Sequence, residues 1–465
     1  MDVKSKSLLK NTLIYSLGNF GSKILSFGLL PIYSYYLTKK EFGYYDLVVT
    51  TIMLVVPIMT MQLSDSVFRW LLDNKEDVKE KENAITNAFF YIISNIIIAI
   101  LVLFFISLFV KILFFYWIVI QLFFATLLIF IQQTARGLSK NKLYAASGVI
   151  LTLFLLISNI MLLIVFKMKT EALFISTILS NLIAVFFLGY KINFFSYLKF
   201  DKLNLKYLKN MLKYSMPLVP NTLSWWLIMS ANKYIIVIYL GQEALGVFGF
   251  ANRFPVLLVM INSIFMLAWQ ESAITTFNDH DRDSFFSKIF NKLMRIQFSL
   301  LVILILSSEL LVRYLVSEDF YESWNYLPFL YVGASFSSLS GFYGSIYIGA
   351  KDTKSTLKTS FLAGVSSVLL SYFLVDYIGL YGVCLANTLG FVILFLARVY
   401  DTQKHVKLSV NKLNGVLYVL FTIISLFIVY MNKIEFTITS IMIAVLVVLS
   451  LNRKDIFILL KQIKK

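Results

Sequence analysis

Apolar residues run along this chain in blocks long enough to cross a bilayer, separated by short polar breaks. A spanning helix needs about 20 consecutive apolar residues. Fourteen such blocks stand near 8–37, 46–71, 84–110, 112–134, 145–166, 172–190, 215–240, 246–271, 288–312, 326–350, 356–376, 380–400, 413–431 and 434–451. They lack the ten-residue alternating segments of a transmembrane β-barrel, so the pattern predicts an all-α polytopic membrane protein. The first block is too long for a secretory signal and has no small-residue cleavage site. A mean hydropathy of +0.80 agrees with this reading.

Charge then gives the blocks a direction. Of the 42 Lys and Arg, 32 fall in alternate polar segments that begin with the N-terminus, and 7 in the intervening ones. This asymmetry predicts that both termini face the cytoplasm of a multi-pass protein. It also accounts for most of the net charge of +17, which in a soluble protein would suggest nucleic acid. No nucleic-acid partner is expected. Three cations remain that lie deeper in apolar blocks and are not assigned to an adjoining polar segment: Lys23, Lys233 and Arg253.

The chain repeats itself. Asn11–Thr12–Leu13 with Lys23 matches Asn221–Thr222–Leu223 with Lys233. YYLTKKEFGYY (35–45) matches IYLGQEALGVF (238–248), and ARGLSKNK (135–142) matches YIGAKDTK (347–354). The offsets, 203 to 212 residues, predict two six-helix lobes of like orientation related by a pseudo-two-fold axis. The expected division is a first lobe at 1–190, a cytoplasmic amphipathic linker at 191–214, a second lobe at 215–400, and two additional helices with a cytoplasmic tail at 401–465. In the linker, Lys199, Lys202, Lys206, Lys209 and Lys213 share one helical face, with Leu205, Leu208 and Leu212 on another. Two readings fit: a basic helix that lies on the inner leaflet and acts as a hinge, and an ordinary positive-inside linker.

Five of the six prolines (Pro31, Pro57, Pro217, Pro220 and Pro255) lie in spans 1, 2, 7 and 8. A proline frees a carbonyl one turn back and kinks its helix. Interrupted helices at matching places in two halves point to a binding site there. The three cations lie in the same spans, and burying them without acidic partners costs about 8–10 kcal/mol on insertion scales. Asn19, Asn232 and Asn252 accompany them. Snorkelling to an interface is the plain explanation. The functional one is a polar cavity for an anion such as a diphosphate, with arginine the better bidentate donor. Trp225, Trp226 and Trp269 are open to two readings: stacking on sugar rings, and belt or packing residues.

Other chemistries find little support. The single Cys384 cannot pair within the chain, and His280 and His405 sit in polar loops without a metal-ligand cluster. No cofactor, metal site or P-loop is expected. A membrane glycan polymerase could offer Glu318, Asp319 and Glu322, but the outward loops are short for holding an acceptor.

Several stretches resemble the Wzx-type lipid-linked oligosaccharide flippases, in the superfamily of multidrug exporters and lipid II flippases. They are SLGNFGSKILSFGLLPIYSYYLTKKEFGYYDL in span 1 and its turn, YSMPLVPNTLSWWLIMSANKYIIVIYLG in span 7, and LGVFGFANR, MLAWQES and ARGLSKNKLYA. The resemblance implies a bacterial inner-membrane flippase that moves undecaprenyl-diphosphate-linked repeat units outward for O-antigen or capsule synthesis. Lys23, Lys233 and Arg253 would face its cationic central cavity. The implied partners are the lipid-linked oligosaccharide, membrane lipids, and a polysaccharide polymerase with a chain-length regulator. Where relatives often carry an Asp before the span-7 cation, this chain has Asn232. A multidrug or metabolite exporter on the same scaffold is the alternative.

Overall fold

The computed structural model describes residues 21, 23–431 and 438–448; Asn19, the 11–13 motif and the C-terminal basic tail lie outside the described residues. Among the described residues there is no strand. Each expected span falls largely on helix where it is described, with breaks such as those at 61–62 and 252–255. The chain forms two compact units, Met1–Trp226 and Leu227–Lys465.

The first unit comprises α1 (23–36), α2 (Lys39–Thr60), α3 (Leu63–Asp73), α4 (Val78–Phe109), α5 (Phe115–Gly137), α6 (Asn141–Asn159), α7 (Thr170–Lys191), α8 (Leu205–Ser215) and α9 (Val219–Trp226). Thr38 starts α2 with a capping box: its hydroxyl accepts from the Glu41 amide, and Glu41 accepts from the Thr38 amide. The second span divides into α2 and α3 because Met61 and Gln62 both take left-handed backbone. Val67 and Leu71 of α3 pack with Ala88 and Ile92 of α4 and Phe130 of α5 in the unit's core.

The linker is strapped to this unit. Thr86 donates to the Tyr197 carbonyl, Asn87 donates to the Lys202 carbonyl and accepts from the Asn204 amide, and the Tyr207 hydroxyl donates to Glu80. In α8 the face turned inward is Leu208, Met211, Leu212 and Ser215, at helical spacing. Lys206, Lys209 and Lys213 are exposed as expected, but so is Leu205, at 84%. The segment 191–214 thus lies against the first unit. Hydrogen bonds to Glu80, Thr86 and Asn87 of α4 hold it there, and the first compact unit runs on to Trp226.

The second unit opens on a π-helical turn, Leu227–Ala231, and continues with α10 (Asn232–Ala251), α11 (Val256–Thr275), α12 (Arg282–Leu306), α13 (Ser308–Leu315), α14 (Leu327–Gly349), α15 (Thr353–Asp401), α16 (Lys412–Tyr430) and α17 (438–448). Two of these helices each hold a turn. Gly241 bends α10 at φ 85°, and Ile378–Gly379 bends α15, so α15 contains both the eleventh and the twelfth expected spans. Helix α16, the first beyond the repeat, packs on α12.

The repeat is present in the backbone itself. Thr38 and Gly241, aligned by the sequence match, both stand where one helix of the pair gives way to the next. After α5, Ser139 is left-handed, Leu138 N–H reaches Thr134 O, and Lys140 N–H reaches Ala135 O. After α14, Lys351 is left-handed, Ala350 N–H reaches Ile346 O, and Asp352 N–H reaches Tyr347 O. Each residue of the second set lies 212 positions after its counterpart, and the same offset links left-handed Lys167 to left-handed Gly379. These are helix C-terminal closures of the Schellman type, which satisfy the last carbonyls.

Candidate functional site

The cations of spans 7 and 8 are placed by α10 and by the break that follows it. Lys233 is the second residue of α10, directly after the π-helical turn, and it is part-buried. Arg253 is also part-buried but is not inside a helix, contrary to its expected place within an apolar span. Residues Asn252–Pro255 form a turn between α10 and α11. There Arg253 N–H bonds to Phe250 O at 3.0 Å, and Phe254 N–H to Ala251 O at 3.2 Å. The cause is Pro255, which has no N–H to continue the ladder. A broken helix presents backbone polar groups and side chains together, which membrane proteins tolerate where such groups meet protein or water.

The accompanying amides divide. Asn232 is buried, 1% exposed, and its amide donates to Ser367 Oγ of α15 at 2.9 Å, while its Oδ1 has no hydrogen-bond partner among the described residues. Asn387 of the same long helix donates to Ile228 O in the π-helical turn, so α15 secures the backbone just before Lys233. Asn252 is part-buried in the break beside Arg253. In the first unit Lys23 is part-buried on α1. The same helix holds Pro31, whose carbonyl accepts from the Ser34 hydroxyl. Trp269 is buried, stacked on Phe342 at 4.0 Å and 7°, and donates to the Phe342 carbonyl. It is a packing residue. Trp226 donates to Thr50 O within the first unit.

A further cation is buried near the end of the twelfth block: Arg398 is 1% exposed inside the second unit. Its Nη1 donates to Ser340 O at 2.8 Å and its Nη2 to Ser360 Oγ at 3.1 Å. The only advance signal was the run of small residues at 333–345 on α14, which leaves room for a large side chain. In the first unit, Gln133 bridges two charges, donating to Asp65 Oδ1 at 2.6 Å and accepting from Arg136 at 2.8 Å. Arg136 also lies 4.6 Å over the Phe68 ring and 5.4 Å from that of Tyr144.

Comparison with known proteins supplies what side-chain geometry does not. A family described as "Polysaccharide biosynthesis protein" matches residues 8–270, more than half of the chain. This chain belongs to that polysaccharide biosynthesis family. No curated protein matches it. Among solved structures, this family member resembles "Lipid II flippase MurJ, inward closed conformation", with a TM-score of 0.76, 16% identity, and coverage of 96% of this chain and 100% of that one. An inward-facing multidrug resistance MATE family transporter matches at TM-score 0.67 and 14% identity, covering 84% of this chain and 95% of that one. A Vibrio cholerae MATE transporter matches at 0.54 and 12%, covering 87% and 99%. At these identities the likeness is one of fold. The polysaccharide biosynthesis family member is a polytopic helical membrane protein with the fold of flippases and exporters.

Proposed function

We propose that this protein is a flippase that carries undecaprenyl-diphosphate-linked oligosaccharide repeat units from the inner to the outer leaflet of the bacterial cytoplasmic membrane, for O-antigen or capsule synthesis. One conjunction carries the reading: a member of a polysaccharide biosynthesis family has the fold of a lipid flippase over 96% of its length. A polysaccharide precursor that crosses a membrane on a lipid carrier joins both facts. Lys23, Lys233 and Arg253, with Asn19, Asn232 and Asn252, would line a cationic cavity that receives the diphosphate, by charge-assisted hydrogen bonds. Alternating access would expose that cavity first inward, then outward. With the cytoplasm negative by about 100 mV, two negative charges leaving it gain roughly 4–5 kcal/mol. Both termini would be cytoplasmic, and the delivered units would pass to a polymerase and its chain-length regulator.

The alternative, a multidrug or metabolite exporter, draws on the fold match to MATE transporters. Deleting the gene separates the two. A flippase leaves complete, unpolymerised repeat units on the inner leaflet, whereas an exporter leaves the lipid-linked pool unchanged and raises drug sensitivity. Neutralising both Lys233 and Arg253 should abolish surface polysaccharide while the protein stays in the membrane; wild-type polymer in that double variant refutes the cationic cavity.

A further inference from the structure

At one end of α12 the second unit holds a polar cleft of about 700 Å³ that the transport reading does not use. It is built by an unusual docking. The segment after α15 runs extended along one face of α12, held by residues at i, i+4 and i+8. Asp283 accepts from the Lys407 amide, Ser287 accepts from the Ser409 amide, and Asn291 donates to Ser409 O and accepts from the Asn411 amide. The neighbouring stripe of the helix, Lys288, Lys292 and Arg295, lines the cleft, and Lys407 lines it from the extended segment. One acid, Asp283, shares the cleft and pairs with Arg282 at 3.0 Å. Among the described lining residues, four cations thus accompany one carboxylate.

The cleft does not end in solvent alone. Tyr418 of α16 lines it and also lines an apolar groove with Phe298, Phe421 and Ile428. A second apolar groove, between α12, α14, α15 and α16, borders the same helices. A cationic cleft that shares Tyr418 with one apolar groove and borders the helices of another suits an amphiphile: phosphate at one end, chains at the other. We propose that this cleft binds the phosphate headgroup of an anionic glycerophospholipid of the inner leaflet, with its acyl chains along the α12–α16 grooves. Basic pockets between membrane helices recognise such headgroups by charge. The binding fastens α16, which lies outside the repeat, to the repeat's own α12. It does not depend on what the protein transports.

The test is lipid selectivity of the full chain in phosphatidylcholine bilayers, measured as association of spin-labelled phosphatidylglycerol relative to spin-labelled phosphatidylcholine. The wild type should prefer phosphatidylglycerol, and Lys288→Gln/Lys292→Gln/Lys407→Gln should weaken that preference at least about tenfold. Lys199→Gln/Lys206→Gln/Lys209→Gln, the same charge loss on the linker, should leave it largely intact. Lys407→Gln alone leaves α12 whole and should lower the preference by a smaller factor. Equal losses in the two triple variants, or no loss with Lys407→Gln, overturn the proposal. Saturating inorganic phosphate should not remove the preference; if it does, the cleft takes a soluble phosphate ester and the lipid assignment is wrong.

Discussion

Arg398 reaches Ser340 across the space that Gly344 leaves open: a methyl group added at Gly344 would lie 2.9 Å from Arg398 Nη1, while Nη1 itself bonds Ser340 O at 2.8 Å. The guanidinium cannot retreat without breaking that bond or the one to Ser360. Gly344→Ala should therefore destabilise the protein by about 1–3 kcal/mol, as overpacking does. Arg398→Ala should cost about 2–5 kcal/mol through the cavity it leaves. Arg398→Met keeps most of the volume and removes the buried charge, so it should fall much closer to wild type. Thermal unfolding of the three purified variants in one detergent checks the order. If Met is as damaging as Ala, the charge rather than the volume is what the site needs.

Gly137 and Gly349 occupy matching places in the two units, 212 residues apart, and each admits a close neighbour. A Cβ at Gly137 would meet Leu71 side-chain atoms at 2.8 and 2.9 Å. At Gly349 it would meet the Phe277 ring at 2.6 Å and the backbone oxygen of Ala273 at 2.9 Å. A side chain can shift, but a carbonyl held in α11 cannot do so without bending the helix. Both alanine variants should lose stability, with Gly349→Ala the worse, by about 1–3 kcal/mol. The comparison is made by unfolding the single variants side by side; a milder Gly349→Ala contradicts the packing argument.

Asp352 caps the first turn of α15 and ties it to the segment beyond the far end of that helix. It accepts from the Ser355 amide, from Lys404 at 2.9 Å and from His405 at 3.0 Å. Burial pushes its carboxyl up, but the hydrogen bonds from His405, Lys404 and Ser355 outweigh this and hold it well below the usual carboxylate range. A carboxyl depressed on folding stabilises fully above its unfolded value, about 3.9, and loses that contribution as the pH falls through the lower folded value. Asp352→Asn should lower the melting temperature at neutral pH. The gap from wild type should stay constant down to about pH 4 and close below it. A gap that stays open below that pH would show that the charge of Asp352 does not carry the effect.

Much of this was legible because it rests on local signals. The apolar blocks mark the helices, and the glycine aligned with Thr38 marks the turn in α10 before any coordinate is known. Two things were not legible, for different reasons. Arg398 stands near the end of an apolar block, where a cation reads as topology. What buries it is Gly344, Ser340 and Ser360, on chain some 40 to 60 residues away, and no periodicity within span 12 reports them. The linker's lysine spacing located its exposed face but not the polar side chains of α4, chiefly Asn87, that fasten it down. For the candidate site, the sequence located Lys233 and Arg253 as costly cations. It did not show that the first follows a π-helical turn and the second sits in a helix break, although Pro255 was a visible warning.

That break gives the sharpest separation of structure from transport. Pro255 supplies the fixed φ at the start of α11 and lacks the N–H that would carry a helix across from Ala251. Alanine there restores the donor, so α10 and α11 can approach one continuous helix and Arg253 would turn with it. The stability change should be small: loss of proline's restriction on the unfolded chain costs about 0.4–1 kcal/mol, and the added helical hydrogen bond offsets part of it. Transport should fall much further if the cargo's diphosphate is met by Arg253 as the break presents it. Pro255→Ala should therefore reach the membrane in normal amount, melt close to wild type, and make little surface polysaccharide. Arg253→Lys should keep the charge, lose the bidentate fork and retain partial activity. A Pro255→Ala protein that supports full polymer shows that the break is a packing feature, and Lys233 and Lys23 would then have to hold the headgroup without it.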